Sequence, residues 1–230
     1  MISELRKMKK DGRKIVGVVA WDYPMAQLAD RAGVDLVSVG DSVGVNLWGQ
    51  RPDEITLDEM AVVCKAVCRG VKRAVVSADL PAHEQNVDAA LRLKECGAQM
   101  VKLLGSADLV RDMVRAGVPV FAEFHGGKDD TATLVGLAQR LEDAGATLLD
   151  FRHSGPQAGA AVAKAVGIPV IGGLGGGPWL DGRMRMAMAA IGYLAQNTEQ
   201  YANVAQITLD ALSAYADDVR AARQIKGQRA

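Results

Sequence analysis

"LADRAGVDLVSVGDS", residues 28–42, passes from helical spacing through a glycine into a short β-branched run, then ends on an acid and a hydroxyl. Gly33 stands where a helix closes with a left-handed cap. Residues 35–40 are too few for a helix and apolar on both faces, as a buried parallel strand is. The same junction returns as "ECGAQ", "RAGVP", "DAGAT" and "AVGIP". Helix–glycine–strand junctions repeated along one chain predict βα units joined by right-handed crossovers.

Outward from that stretch, the pattern predicts strands at 14–20, 35–40, 73–78, 99–104, 118–124, 146–151 and 168–173. Helices are predicted at 23–32, 57–69, 84–96, 107–116, 131–144 and 157–166. An eighth strand is expected at 184–188, in "DGRMRMAMAA", although the spacing there also suits a helix. Eight units close an α/β (β/α)8 TIM barrel. An open doubly wound sheet is the alternative, but no G-x-G-x-x-G follows the first strand. Residues 1–230 read as one barrel domain with an N-terminal helix and a helical tail over 195–230.

Composition narrows the class. With 49% hydrophobic but only 4% aromatic residues, the core must be built from Ala, Val, Leu, Ile and Met. Basic and acidic residues number 27 each, which gives no basic face for nucleic acid or a membrane surface. No run reaches the roughly 18 apolar residues of a membrane span, and no apolar signal region follows the basic N-terminus. The three cysteines are an odd number, against a disulfide framework. Cys64 and Cys68 share a helical face with no further Cys or His near them in the sequence, so they read as packing residues. A soluble protein of the reducing cytoplasm is expected.

In a barrel, function collects at the C-terminal ends of the strands. There the sequence places Trp21-Asp22-Tyr23, Asp41-Ser42, Asp79, Lys102, Glu123 with His125, and Asp150 with Arg152 and His153. The strand N-terminal ends are blander. Asp41 and Asp79 end adjacent strands, and two carboxylates completed by water and a substrate oxygen suit Mg²⁺. The other reading makes Asp79 the cap of a turn in "ADLPAH" and Asp41 an acceptor for loop amides. The glycine run 172–177 would let backbone amides approach an anion, or simply accompany the fold.

"ISELRKMKKDGRKIVGVVAWDYPMAQLADRAGVDLVSVGDSVG" resembles the opening of the ketopantoate (3-methyl-2-oxobutanoate) hydroxymethyltransferase family. "ITLDEMAVVCKAVCRG", "ADLP", "AALRLKECGAQMVKL", "RAGVPV", "LEDAGATLLDF" and "GIPVIGGLGGGPWLDGR" continue the likeness in order, over roughly residues 2 to 192. The resemblance implies a barrel of the phosphoenolpyruvate mutase/isocitrate lyase superfamily, assembled as a homo-oligomer. It implies Mg²⁺ or another divalent cation, a 2-oxo acid substrate enolised at C3, and a one-carbon unit delivered by methylenetetrahydrofolate. By resemblance Asp41 and Asp79 bind the metal, and through it the substrate. Ser42 contacts the substrate carboxylate, and Lys102 touches the 2-oxo acid.

The departures lie on the other side of the site. Leu104 stands where the family has Glu, and "AEFHGG" replaces "GHLG", which puts Glu123 at the family's His and His125 two residues on. Arg152 falls where the family's catalytic Glu ends the sixth strand, and the loop after the fifth strand is shorter. That loop argues against dependence on tetrahydrofolate. Arg152 stays protonated and cannot be a base; it can bind a second anion bidentately or pair with Asp150 or Glu123. Glu123 or His125 then transfers the proton. Three functions follow. The first is hydroxymethyl-transfer or aldol-type chemistry with an altered base and second-substrate site. The second is cleavage or decarboxylation of an oxaloacetate-like dianion, and the third is 2-oxo acid binding without catalysis.

Overall fold

The computed structural model describes residues 2–127, 129–194 and 200–227. Eight parallel strands close a barrel in chain order: β1 (Ile15–Val19), β2 (Leu36–Val39), β3 (Val75–Asp79), β4 (Met100–Leu104), β5 (Val120–His125), β6 (Leu148–Arg152), β7 (Val170–Gly172) and β8 (Gly182–Met186). α1 (Ile2–Lys10) precedes β1. Between strands run α2 (Tyr23–Arg31), α3 (Val43–Leu47), α4 (Leu57–Gly70), α5 (Val87–Glu95), α6 (Ala107–Arg115), α7 (Thr131–Asp143) and α8 (Pro156–Ala165). The chain forms two compact units, Met1–Arg185 and Met186–Ala230. The second holds α9 (Ala187–Ala190) and α10 (Val204–Arg220), whose apolar Ile207, Leu209 and Leu212 are exposed. The start of the predicted tail, 195–199, lies outside the described residues.

Helix starts follow local chemistry. Thr56 and Glu59 form a capping box on α4, and the side chains of Asp22, Asn86, Ser106 and Asp130 accept amide hydrogens at the starts of α2, α5, α6 and α7. The Asn86 cap is why α5 begins at Val87 and not at 84. Gly33, Gly97, Gly117 and Gly145 take positive φ at helix ends, as the junction pattern predicts. Gly167 does not. α8 ends in an extended Val166, and the Gly167 and Ile168 amides donate instead to Glu142 Oε1.

The barrel interior changes character with height. At its base each strand contributes one buried apolar side chain, from Ile15 on β1 to Met184 on β8, and Leu5 and Met8 of α1 pack into the same cluster. Two residues further along, on the same face, stand Gly17, Ser38, Ser77, Lys102, Glu123 and Asp150. The third level carries Asp79, His125 and Arg152. An apolar floor thus supports a polar layer, which opens into the mouth. Outside the barrel, Cys64 Sγ and Cys68 Sγ lie 3.8 Å apart. Their hydrogen bond, burial and the neighbouring Cys68 and Cys96 push the Cys64 thiol up. Folding therefore brings Cys96, the C-cap of α5, to a pair that stood alone in the sequence.

Candidate active site

At the C-terminal mouth lies a cavity of about 510 Å³, lined by Asp41, Asp79, Lys102, Glu123, His125 and Arg152 on its polar side. Leu80, Ala82, Leu103, Leu104 and Phe124 supply an apolar wall. Strand register sets the polar groups: Asp79 pairs with Lys102, Leu104 with Glu123, Glu123 with Asp150 and His125 with Arg152. Ser42 heads α3 beside Asp41; its side chain makes no capping hydrogen bond, and it is not among the residues lining the cavity.

Lys102 is the hub. Its ammonium, 5% exposed, lies 2.6 Å from Glu123 Oε2, 3.0 Å from Asp150 Oδ2 and 3.6 Å from Asp79 Oδ2. Burial alone would drive the proton off, but the three carboxylates outweigh it and hold Lys102 in its ammonium form. Glu123 is shared further. Its Oε1 accepts from Arg152 Nη1 at 2.9 Å and bonds His125 Nε2 at 2.8 Å. Burial raises the Glu123 carboxyl, yet Lys102, His125 and Arg152 together bring it below the usual range.

Asp41 and Asp79 behave oppositely. Burial raises both, and charge repulsion adds to it: Glu123 on Asp41, and Asp41, Glu123 and Asp150 on Asp79. Lys102 offsets only part, leaving Asp79 pushed up to about 7. Four carboxylates thus face two permanent cations, Lys102 and Arg152. A divalent cation at Asp41 and Asp79 would supply the missing charge, and the donor set fits Mg²⁺, which takes one or two protein carboxylates and fills its octahedron with water and ligand oxygens. Among the described residues no group of three or more His, Cys, Asp or Glu side chains is arranged to hold a metal alone. Water and substrate oxygens would complete the shell.

Three polar residues of the site were not singled out from the sequence: Ser38, Ser77 and Gln85, the last lining the cavity. Ser77 Oγ donates to Ser38 Oγ at 2.9 Å, and Ser38 Oγ donates to Asp79 Oδ1 at 3.2 Å, a buried chain that orients the carboxylate. Asp150 is wholly buried, and its Oδ1 accepts from the Gly173 amide at 3.2 Å. Period two was the available signal for the two serines: Ser38 and Ser77 each fall two residues after an inward apolar residue, as the strand-exit residue Asp150 does. In the glycine run, a Cβ on Gly172 would sit 2.6 Å from Leu180 Cδ1 and one on Gly176 2.9 Å from Gly172 O, so close packing explains those positions.

The ketopantoate hydroxymethyltransferase family model matches residues 1–127 and 124–224. The chain belongs to the ketopantoate hydroxymethyltransferase family. It is 34% identical over 250 residues to the 3-methyl-2-oxobutanoate hydroxymethyltransferase of Cyanothece sp., covering 95% of each chain. It is 32% identical over 249 residues to that of Pyrococcus furiosus, covering 95% of this chain and 88% of the relative. Two solved structures share the fold at lower identity. One is 2,3-dimethylmalate lyase, described as a phosphoenolpyruvate mutase/isocitrate lyase superfamily member (TM-score 0.68, 16% identity, 99% of this chain and 90% of that one). The other is a phosphonopyruvate hydrolase complexed with oxalate and Mg²⁺ (TM-score 0.66, 15% identity, 96% and 88%). The ketopantoate hydroxymethyltransferase family is an enzyme family, so the cavity is a candidate active site. No helix among the described residues is long and apolar enough to cross a membrane.

Proposed function

We propose that this chain enolises a 2-oxo acid and makes or breaks a carbon–carbon bond at C3, by hydroxymethyl transfer or related aldol chemistry. The observation that carries the reading is the pairing of two neighbouring mouth carboxylates, Asp41 and Asp79, with the buried ammonium of Lys102. Asp41 and Asp79 would hold Mg²⁺, which when bound stabilises negative charge developing on the keto oxygen. Lys102 cannot form a Schiff base, because that needs a neutral amine. Its fixed charge instead faces the substrate oxygens. Ser42, beside Asp41, would donate to the substrate carboxylate.

Glu123 is a poor base: its carboxyl is held low and its oxygens are engaged by Lys102, Arg152 and His125. His125 is the better choice. With Nε2–H donating to Glu123 Oε1, the lone pair sits on Nδ1 of a half-exposed ring at the cavity. His125 Nδ1 would take the C3 proton and leave the electron pair to the enolate, while Glu123 steadies the imidazolium. The β5–α7 connection is only residues 126–130, which favours an electrophile other than a folate derivative. Self-association is part of the proposal. It is supported by the exposed apolar residues of α10, and sedimentation velocity tests it.

The deciding experiment is proton exchange in heavy water, followed by NMR, with Mg²⁺ and 3-methyl-2-oxobutanoate, pyruvate or oxaloacetate but no one-carbon donor. Loss of the C3 proton signal, abolished by chelator, is the expected result. Absence of exchange on all three acids refutes enolisation.

A further inference from the structure

The cavity has two ends. Asp79 and Arg152 stand at the same height, on β3 and β6, with β4 and β5 between them round the barrel. Asp41 and Asp79 form one wall of the mouth and Arg152 another, and Lys102 and Glu123 lie one level below.

Two permanent cations line this cavity among the described residues, and they are in different states. Lys102 is already engaged by three carboxylates. The Arg152 side chain is 35% exposed, and among the described residues the Nη1 bond to Glu123 is its only guanidinium hydrogen bond. Its Nε is buried with no hydrogen-bond partner, and Asp150 Oδ2 is 3.8 Å away. A guanidinium presents five N–H donors in a rigid fork, and a buried donor without an acceptor is costly. Glu123 has a closer cation in Lys102, 2.6 Å away, and takes only one of the donors of Arg152. Glu123 engages Nη1 and Nε faces Asp150 Oδ2, which leaves Nη2 and the outer edge of the fork for an acceptor at the cavity.

We propose that Arg152 receives a second anionic group on the substrate, so that the site selects 2-oxo diacids over monoanionic 2-oxo acids. The inference rests on the reading of the Asp41–Asp79 end as the 2-oxo acid end. A carboxylate and a guanidinium meet through two parallel N–H···O bonds, a geometry an ammonium cannot reproduce.

Calorimetric binding and C3 proton exchange, both with Mg²⁺, would compare oxaloacetate and 2-oxoglutarate with pyruvate and 2-oxobutanoate. Wild type should favour the diacids by roughly 30-fold or more, the scale of one buried charge-assisted pair. Arg152→Gln should erase that ratio, and Arg152→Lys should restore only part of it. Equal affinity for diacids and monoacids in wild type, or a preference that survives in Arg152→Gln, overturns the proposal. If no acid exchanges its proton, the enolisation reading fails by itself. Calorimetry then still decides: Arg152-dependent diacid binding upholds the receptor, and its absence removes it. Should Arg152→Gln fail to fold by circular dichroism, the wild-type ratio and Arg152→Lys give the answer.

Discussion

Asp79→Asn should stabilise the metal-free protein, and increasingly so as the pH rises. The Asp79 carboxyl, 15% exposed, is pushed from about 4 up to about 7, chiefly by burial and then by Asp41, Glu123 and Asp150. A carboxyl whose folded pKa is raised binds a proton in the folded chain that the unfolded chain has released. Stability therefore falls as pH climbs between the two values and levels off above the upper one. Between pH 5 and pH 8 the handicap grows by about two pH units' worth, about 3 kcal/mol at 1.36 kcal/mol each. Asn keeps an oxygen for Ser38 Oγ and removes the charge. In chelator, thermal unfolding followed by circular dichroism should give Asp79→Asn little advantage at pH 5. At pH 8 that advantage should be larger by roughly 6–12 °C. Mg²⁺ at pH 8 should raise the wild-type Tm and leave the variant unmoved. A pH-independent difference between the two proteins, or equal protection of both by Mg²⁺, would refute the argument that Asp79 is a buried carboxylate short of a cation.

Other outcomes follow from named contacts. His125→Gln should slow C3 proton exchange by roughly 10²–10⁴, the range for a general base, with little change in KM; an exchange rate within fivefold of wild type would return the role to another group. Lys102→Met leaves Asp79, Glu123 and Asp150 without their shared cation and should cost about 3–5 kcal/mol in urea unfolding at pH 8, and less at pH 5, where carboxyls take up protons. A loss that is the same at both pH values would speak against uncompensated charge as the cause. Gly182→Ala places a Cβ 2.2 Å from Ile15 O, a backbone atom at the seam between β8 and β1, and should destabilise the barrel by about 1–3 kcal/mol in the same assay.

Most of the barrel is legible in the sequence because its rules are local. Glycine caps, hydroxyl and carboxylate caps and short apolar runs each act within a few residues, so the strands from β1 to β7 fall within two or three residues of their predicted spans. Where prediction slipped, a distant partner was responsible. Arg73 and Ala74 are held off β3 because their amides donate to Asp30 on α2. His125 and Arg152 belong to β5 and β6 and not to loops, because the two residues pair across the ladder. The segment at 184–188 had spacing for either state, and it divides between them: β8 ends at Met186 and α9 begins at Ala187. Its strand, β8, exists because Gly182 and Arg183 pair with β7 and the Ile15 amide donates to Asp181 O at the closure.

The sequence by itself determined the succession of βα units, the charged residues at the exits of the first six strands and the candidate metal carboxylates. Those depend on residue type and on position within a strand. Only the tertiary structure decided what the charges do to one another. Lys102 is kept as an ammonium, Asp79 is raised and Glu123 is lowered by groups from β2 to β6, dozens of residues apart in the chain. Coulomb interactions and burial are set by distance through space, and closure of the barrel is what brings Asp41, Asp79, Lys102, Glu123, Asp150 and Arg152 within reach of each other.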